Sequence, residues 1–259
     1  MAGKVYVTGD CHYEFKKFNM ANFPEQKLLD KEDYVIICGD FGGVWNINGE
    51  NSDEKYWMDW LEKKSYTTLF VDGNHENFDR LGSYPVEQWK GGTVHKIRPS
   101  VIHLMRGQIY CIAGKKFFAF GGASSHDTQG GILDMEDPRF RAKKKLLDRD
   151  WIPYRVNHIN WWKEELASKE EQEAAERNLE KSQYKVDYII THCCSSATQD
   201  ILGVNGLYNY NAQTDFFDKI KAEVKFSKWY FGHYHMDRNV TDKEILLYDR
   251  IIPLGDKIS

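Results

Sequence analysis

The chain has 259 residues, of which 41% are hydrophobic and 29% charged, and its formal net charge is −4. That balance marks a globular chain able to bury a large core, and it gives no broad basic field for gripping a long nucleic acid by its phosphates. No apolar run approaches the ~18 residues that would cross a bilayer, so no membrane partner is expected.

The first residues, "MAGKVYVTGD", run straight into a β-like pattern without a signal-type apolar region, and cytoplasmic residence is the expectation. The run "KVYVTGD" (4–10) predicts a strand, and a short helix is expected near 13–20. Next, "YVIICGD" (34–40) and "TTLFVDGN" (67–74) are β-branched runs that, like the first, end in glycine plus Asp or Asn. Between them "SDEKYWMDWLEKKS" (52–65) sets Tyr56, Trp57, Trp60 and Leu61 at helical spacing after a Ser/Asp cap signal. This is the β-α-β rhythm of a parallel sheet, whose ligands collect at the carboxyl ends of the strands. The segment "VIHLMRGQIYCIAGKKFFAFGG" (101–122) changes character, with antiparallel strands and turns near Arg106-Gly107 and Gly114-Lys115, and is expected to begin a second sheet.

Residues 123–158 read as irregular and polar, and 157–183 as one long helix with Trp161 and Trp162 near its start. Then come a strand in "VDYIITH" (186–192), a helix around 212–225, a strand in "KWYFGH" (228–233), and a closing β run through "EILLYDRIIP". No repeat, linker or low-complexity break divides the chain, so residues 1–259 are expected to form one domain. Five cysteines, Cys11, Cys38, Cys111, Cys193 and Cys194, make no CxxC pair and are odd in number, which reads as reduced thiols.

The polar strand ends answer one another. "GDCH" supplies Asp10 and His12, "GD" Asp40, "GNHE" Asn74, His75 and Glu76, "TH" His192, and "GHYH" His233 and His235. In an extended chain His233 and His235 point to the same side. Neutral imidazoles, carboxylates and an amide oxygen are ligands for borderline divalent ions such as Mn, Fe or Zn, and one carboxylate can bridge two of them.

These segments resemble the calcineurin-like metallophosphoesterase superfamily, whose pattern is D-x-H, G-D, G-N-H-[DE], H and G-H-x-H, and the likeness spans residues 9 to 235. By motif position the resemblance implies that Asp10, His12, Asp40 and His235 hold one metal, and that Asp40 bridges to a second held by Asn74, His192 and His233. It implies two divalent cations, Mn, Fe or Zn, with Mn the one expected to load in vitro. Attack on the ester would come from a metal-bridging hydroxide, His75 would serve the leaving group, and Glu76 would orient His75. The implied fold is an α/β four-layer sandwich, two mixed β-sheets face to face with helices outside. "FFAFGGASS", "NWWKEE" and "VDYIITH" further resemble a group of small bacterial members.

The expected substrate is a phosphomonoester or phosphodiester of modest size, a nucleotide-like one included, and the sequence does not choose between monoester and diester or encode an oligomeric state. Two other classes are weighed. A nuclease on DNA or RNA is opposed by the acidic net charge, and the stretch after residue 235 is too short for the capping domain expected of the repair-type branch. A silent metal-binding module is opposed by the full ligand set with His75. "FGGVW" follows Asp40 where the protein Ser/Thr phosphatases would carry V-[DN]-R-G, so the phosphate-binding arginine of that branch is missing. After His192 comes "CCSS", and Cys193 and Cys194 read as packed thiols, as does Cys38, while Cys11 should face away from its ligand neighbours. His126 and Asp127 could reach a phosphate, but a polar loop explains them equally. The basic run "RFRAKKKLLDRD" (139–150) reads as a solvated helical face, and Trp161 and Trp162 as core anchors. His95, His103 and His158 read as packing or solvent contacts.

Overall fold

The computed structural model describes residues 3–204 and 206–258. The first half lays down β1 (Val5–Thr8), β2 (Tyr34–Ile37), α1 (Ser52–Glu62), β3 (Thr67–Phe70), the one-turn α2 (Phe78–Leu81), β4 (Val86–Trp89), β5 (Gly92–Arg98) and β6 (Val101–Leu104). Then follow β7 (Gln108–Ile112), β8 (Lys115–Phe120), β9 (Ile132–Leu133), α3 (Phe140–Arg149), β10 (Arg155–Val156) and α4 (Lys169–Lys181). The chain closes with β11 (Tyr188–Thr191), α5 (Ser196–Leu202), α6 (Ala212–Glu223), β12 (Lys228–Phe231), β13 (Arg238–Asn239), β14 (Glu244–Leu246) and β15 (Ile251–Pro253).

Among the described residues these strands form a seven-stranded sheet, β15-β1-β2-β3-β6-β5-β4, and a six-stranded sheet, β13-β14-β12-β11-β8-β7. Within the first, β1, β2, β3 and β6 are parallel neighbours, flanked by antiparallel β15 and β5. The second has parallel β8, β11, β12 and β14 with antiparallel β7 and β13 at its edges. A two-stranded ribbon pairs β9 with β10.

The two-residue period of a strand explains why the layers stack as they do. Val5, Val7, Ile36 and Leu69 of the first sheet meet Phe117, Ala119, Ile190 and Tyr230 of the second in the central core. The alternate residues Val35, Ile37 and Phe70 face outward onto Met58 and Leu61 of α1. On the far side Phe118, Phe120, Ile189 and Trp229 face Leu179 of α4 and Phe216 and Phe217 of α6. Both faces of each sheet are therefore covered, which is why the strands read as unbroken apolar runs. The architecture is the expected four-layer α/β sandwich of two mixed sheets with helices outside.

Three expectations are corrected. The strand at 101–104 belongs to the first sheet, paired with β3 and β5, and the second sheet starts only at β7; the hairpin β4–β5 was not read from the sequence. The helix expected over 157–183 is α4 alone, starting after a capping box of Ser168 and Glu171, because the Trp162 indole is drawn instead to Asp79 Oδ2 at 2.7 Å. Near 13–20 there is a 3-10 turn, Phe15–Phe18, and Tyr56 of α1 points outward, 61% exposed. Trp162 is fully buried and the basic run carries α3, none of whose residues is buried.

Candidate metal centre

The loops after β1, β2, β3, β11 and β12 converge between the carboxyl ends of the two sheets. Glycines in these loops make the convergence possible: a Cβ on Gly73 would lie 2.0 Å from Asp40 Oδ1, and one on Gly232 2.0 Å from Asp10 Oδ1. His12, Asp40, His233 and His235 all hold φ between 44° and 72°, a region that costs non-glycine residues about 1 kcal/mol or more and persists where the surroundings over-determine it.

Asp10, His12, Asp40 and His235 each offer a ligand atom, and these atoms lie within 4.8 Å of one another. His12 Nε2 stands 3.5 Å from both Asp10 Oδ2 and Asp40 Oδ2, and His235 Nε2 is 3.2 Å from Asp10 Oδ2. Asp10 Oδ2 is buried and makes no hydrogen bond among the described residues, a costly state for a carboxylate oxygen unless a cation completes it. The other oxygen of Asp10 accepts the His233 amide N–H at 2.9 Å.

The second cluster forms around His192. Its Nδ1 lies 2.8 Å from the Cys38 carbonyl oxygen, so that nitrogen is the donor and, in the neutral ring, Nε2 keeps its lone pair. Yet Nε2 faces two more oxygens, Asn74 Oδ1 at 3.2 Å and Asp40 Oδ1 at 3.3 Å. Three acceptors turned toward one another call for positive charge between them. The carbonyl bond is also the outer contact that fixes a ligating imidazole. His233 is buried with its ring 4.9 Å from that of His192.

The electrostatics agree. Burial disfavours charge on Asp10, yet His12 and His235 beside it keep its carboxyl well below the usual range; Asp40, equally buried, is held low by His192. Burial opposes a proton on His192, but the charges of Asp40 and Asp10 push its pKa up to about 9, so without a cation these oxygens draw a proton onto Nε2, and a cation would displace it and take the lone pair. Burial drives His233 the other way and keeps it neutral. The residues therefore fit divalent cations, with neutral nitrogen, carboxylate and amide oxygen as donors.

His75 donates its backbone N–H to Asp40 Oδ1 at 2.7 Å, and its ring meets that of His12 edge-on at 5.0 Å. Burial lowers its pKa. Glu76 does not orient it: the Glu76 carboxylate is fully buried and accepts the amides of Phe41 at 2.7 Å and Gly42 at 3.3 Å, pinning the loop after Asp40. The backbone turn that aims His75 at the centre sends its neighbour the opposite way.

Asp127 is engaged by Arg155 at 2.8 Å, and the His126 ring packs 4.9 Å from Tyr208, which in turn lies 4.9 Å from His233. His95 and His103 are buried against each other, and His158 meets Asp79 at 2.7 Å. Cys11, Cys38, Cys193 and Cys194 are buried free thiols. Two contributors escaped the sequence reading. Lys17 donates to the carbonyls of Asp10 at 2.7 Å and Tyr248 at 2.8 Å, bracing the first ligand loop from behind. Trp45 tilts against His75 with ring centroids 6.2 Å apart. Neither carries a local pattern that would have marked it.

A family model described as calcineurin-like phosphoesterase matches residues 3–237. Lariat debranching enzyme A of Xenopus laevis is 27% identical over 146 residues, covering 51% of this chain and 26% of that protein. Lariat debranching enzyme of Danio rerio is likewise 27% identical over 146 residues, covering 51% of this chain and 24% of its own length. The match thus spans about a quarter of the length of these curated relatives. Among the described residues no helix is long and apolar enough to cross a membrane.

Proposed function

The chain belongs to the calcineurin-like phosphoesterase family, and with it to the metal-dependent phosphoester hydrolases; from that premise we propose that it cleaves a phosphomonoester or phosphodiester of modest size at a centre of two divalent metals, Mn, Fe or Zn. Asp40 carries this reading: its Oδ2 turns toward His12 and its Oδ1 toward His192, as a carboxylate shared by two ions would. Asp10, His12 and His235 complete one ligand set with Asp40, and Asn74, His192 and His233 the other. When bound, such cations lower the pKa of a water and offset the charge of the phosphoryl oxygens.

The chain's own groups do the rest. Asp40 also accepts the His75 amide, so the loop bearing His75 is tied to the shared ligand. In this reading the His75 ring donates an N–H to the oxygen of the departing group. Glu76 contributes by fixing the backbone at Phe41 and Gly42. The central core draws on residues from Val5 to Ile252, which supports residues 1–259 acting as one domain. The unpaired cysteines support a reducing, cytoplasmic setting.

A nuclease is the second reading. It is favoured by relatives named for lariat debranching and opposed by the net charge of −4. The test is elemental analysis of protein purified without chelator and resupplied with Mn, run beside assays on 4-nitrophenyl phosphate, bis(4-nitrophenyl) phosphate and short oligonucleotides. Close to two metals per chain with turnover of an aryl ester is expected; folded protein that takes up no metal would overturn the proposal, and turnover confined to oligonucleotides would move it to the second reading.

A further inference from the structure

Beside the metal centre lies a cavity of about 380 Å³, at the small end of ligand sites (~300–1,000 Å³). His12 and His75 form its inner wall, and Tyr13, Trp45, Asn46 and Asp53 much of the remainder. His12 borders both spaces, so the cavity adjoins the cluster of ligand atoms on the side of His75.

Three features define what fits there. First, the Trp45 indole forms an aromatic wall that does not depend on a ligand for its position. Behind it the buried Trp162 ring packs edge-on at 5.8 Å, and the Trp45 amide N–H is held by Glu54 Oε1 at 2.8 Å. Arg80 meets the other oxygen of Glu54 at 2.7 Å, so that carboxylate is occupied in fixing the loop. Second, the Tyr13 hydroxyl oxygen is shielded from solvent and has no hydrogen-bond partner among the described residues. A phenol keeps its proton near neutral pH, so this hydroxyl is a donor without an acceptor among those residues. Third, among the described residues no lysine or arginine lines the cavity, while the exposed Asp53 does. A departing group that carried further phosphates would find no counter-charge there.

Resting on the phosphoesterase reading above, we propose that this cavity is the leaving-group pocket and that it selects a nucleoside: the base against Trp45, an acceptor of base or sugar on the Tyr13 hydroxyl, and donors of the sugar or base toward Asp53. The substrate class is then a nucleoside phosphate ester whose nucleoside departs without additional phosphates. Base stacking on an aromatic side chain is tolerant of base identity, so purine and pyrimidine should both be accepted.

The experiment separates this proposal from the general activity. Binding of free adenosine and uridine to the Mn-supplied protein is followed by saturation-transfer NMR and calorimetry, with ribose as the comparison, and all three are tried as inhibitors of bis(4-nitrophenyl) phosphate hydrolysis. Wild type should bind both nucleosides at least about 10-fold more tightly than ribose. Trp45→Ala should weaken nucleoside binding about 5-fold or more, and Tyr13→Phe about 2- to 10-fold. Trp45→Phe, which keeps a ring against Trp162, guards against misfolding and should retain part of the affinity. Aryl ester hydrolysis without nucleoside binding or inhibition, or equal nucleoside affinity in wild type and both pocket variants, would each overturn the proposal while leaving the phosphoesterase reading intact. Absence of any ester hydrolysis would instead strike at that reading, and the direct binding arm would still decide the pocket.

Discussion

Replacing Arg106 with methionine should destabilise the protein severely. Asp72 and Arg106 form an ion pair whose side chains are only 2% and 5% exposed, with Arg106 Nε donating to Asp72 Oδ2 at 2.8 Å. The other oxygen of Asp72 faces His103 Nε2 at 3.1 Å, and the Asp72 carbonyl accepts the Gly122 amide at 2.8 Å. Arg106 also reaches the Glu164 carbonyl at 2.6 Å. The pair therefore joins the end of β3 to the turn between β6 and β7, where the chain crosses from one sheet to the other, and the Gly122 amide ties the same aspartate to the end of β8. Removing one partner of a buried pair leaves an uncompensated charge and costs about 3–5 kcal/mol. At about 2–4 °C per kcal/mol for chains near this size, Tm should fall by ~6–20 °C. The sign with pH is fixed. Burial resists ionisation of Asp72, but Arg106 and His103 hold its carboxyl below its unfolded value, so this contribution is present above that value and lost as pH falls. Without Arg106 the stranded carboxyl protonates more readily, so the gap between variant and wild type is widest near neutral pH and narrows toward acid. Urea and thermal unfolding of Arg106→Met, Asp72→Leu and the double variant form the assay; the apolar pair should recover much of the loss. A loss below about 1 kcal/mol in Arg106→Met, or single losses that simply add in the double variant, would refute the reasoning.

Further outcomes follow from the same contacts. Asp40→Asn should deplete both metals and His12→Ala mainly one; equal, mild effects on metal content would remove Asp40 from the bridging position. His75→Gln should keep both metals and lower turnover by ~100-fold or more, with a smaller loss for nitrophenolate than for an alkyl leaving group; a uniform loss across leaving groups would assign His75 to site architecture instead. His95 and His103 share a proton between Nδ1 atoms 3.1 Å apart, and burial, with His103 nearby, lowers the His95 pKa from 6.5 to about 4. Its unfolded form binds the proton first, so its contribution is complete above about pH 6.5 and is lost as pH falls toward 4; unfolding free energies of His95→Gln should show a flatter slope in that window, and an unchanged slope would contradict the assignment.

Asp10, His12, Asp40, Asn74, His192, His233 and His235 were legible as candidate ligands because they are polar residues at the ends of strand-like runs, and the structure brings ligand atoms of Asp10, His12, Asp40 and His235 within 4.8 Å of one another. The apolar runs likewise give strands because both faces of each sheet are buried. Periodicity, however, assigns a strand without choosing its partners. β6 was read into the second sheet because an antiparallel pattern continues through Arg106-Gly107, whereas in the fold that turn carries the chain across to β7, fixed by the long-range bond of Arg106 to Asp72. Helix α4 was overextended for a related reason. Trp161 and Trp162 suit a helix start, but the Asp79 contact of Trp162 is tertiary, and the readable signal was the Ser168–Glu171 capping box.

Glu76 and Trp45 expose the remaining gap between sequence and site. Adjacency to His75 suggested a partnership for Glu76, yet the bond it makes is to amides of a loop 35 residues earlier, a relation that no local spacing encodes. Trp45 sits in "FGGVW", legible only as the absence of an arginine; its place in the cavity depends on Glu54, Arg80 and Trp162, which lie in three other segments. Local rules nevertheless fail informatively here. His12, Tyr13, Asp40, His233 and His235 all adopt positive φ, where propensity alone would call for glycine or asparagine. Four of these are proposed ligands, and the fifth lines the cavity next to them. Positive φ also occurs away from the site, at Lys90, Ala113, Trp151, His158, Gln183 and Tyr184, so the conflict acquires meaning only where it clusters with side chains able to ligate.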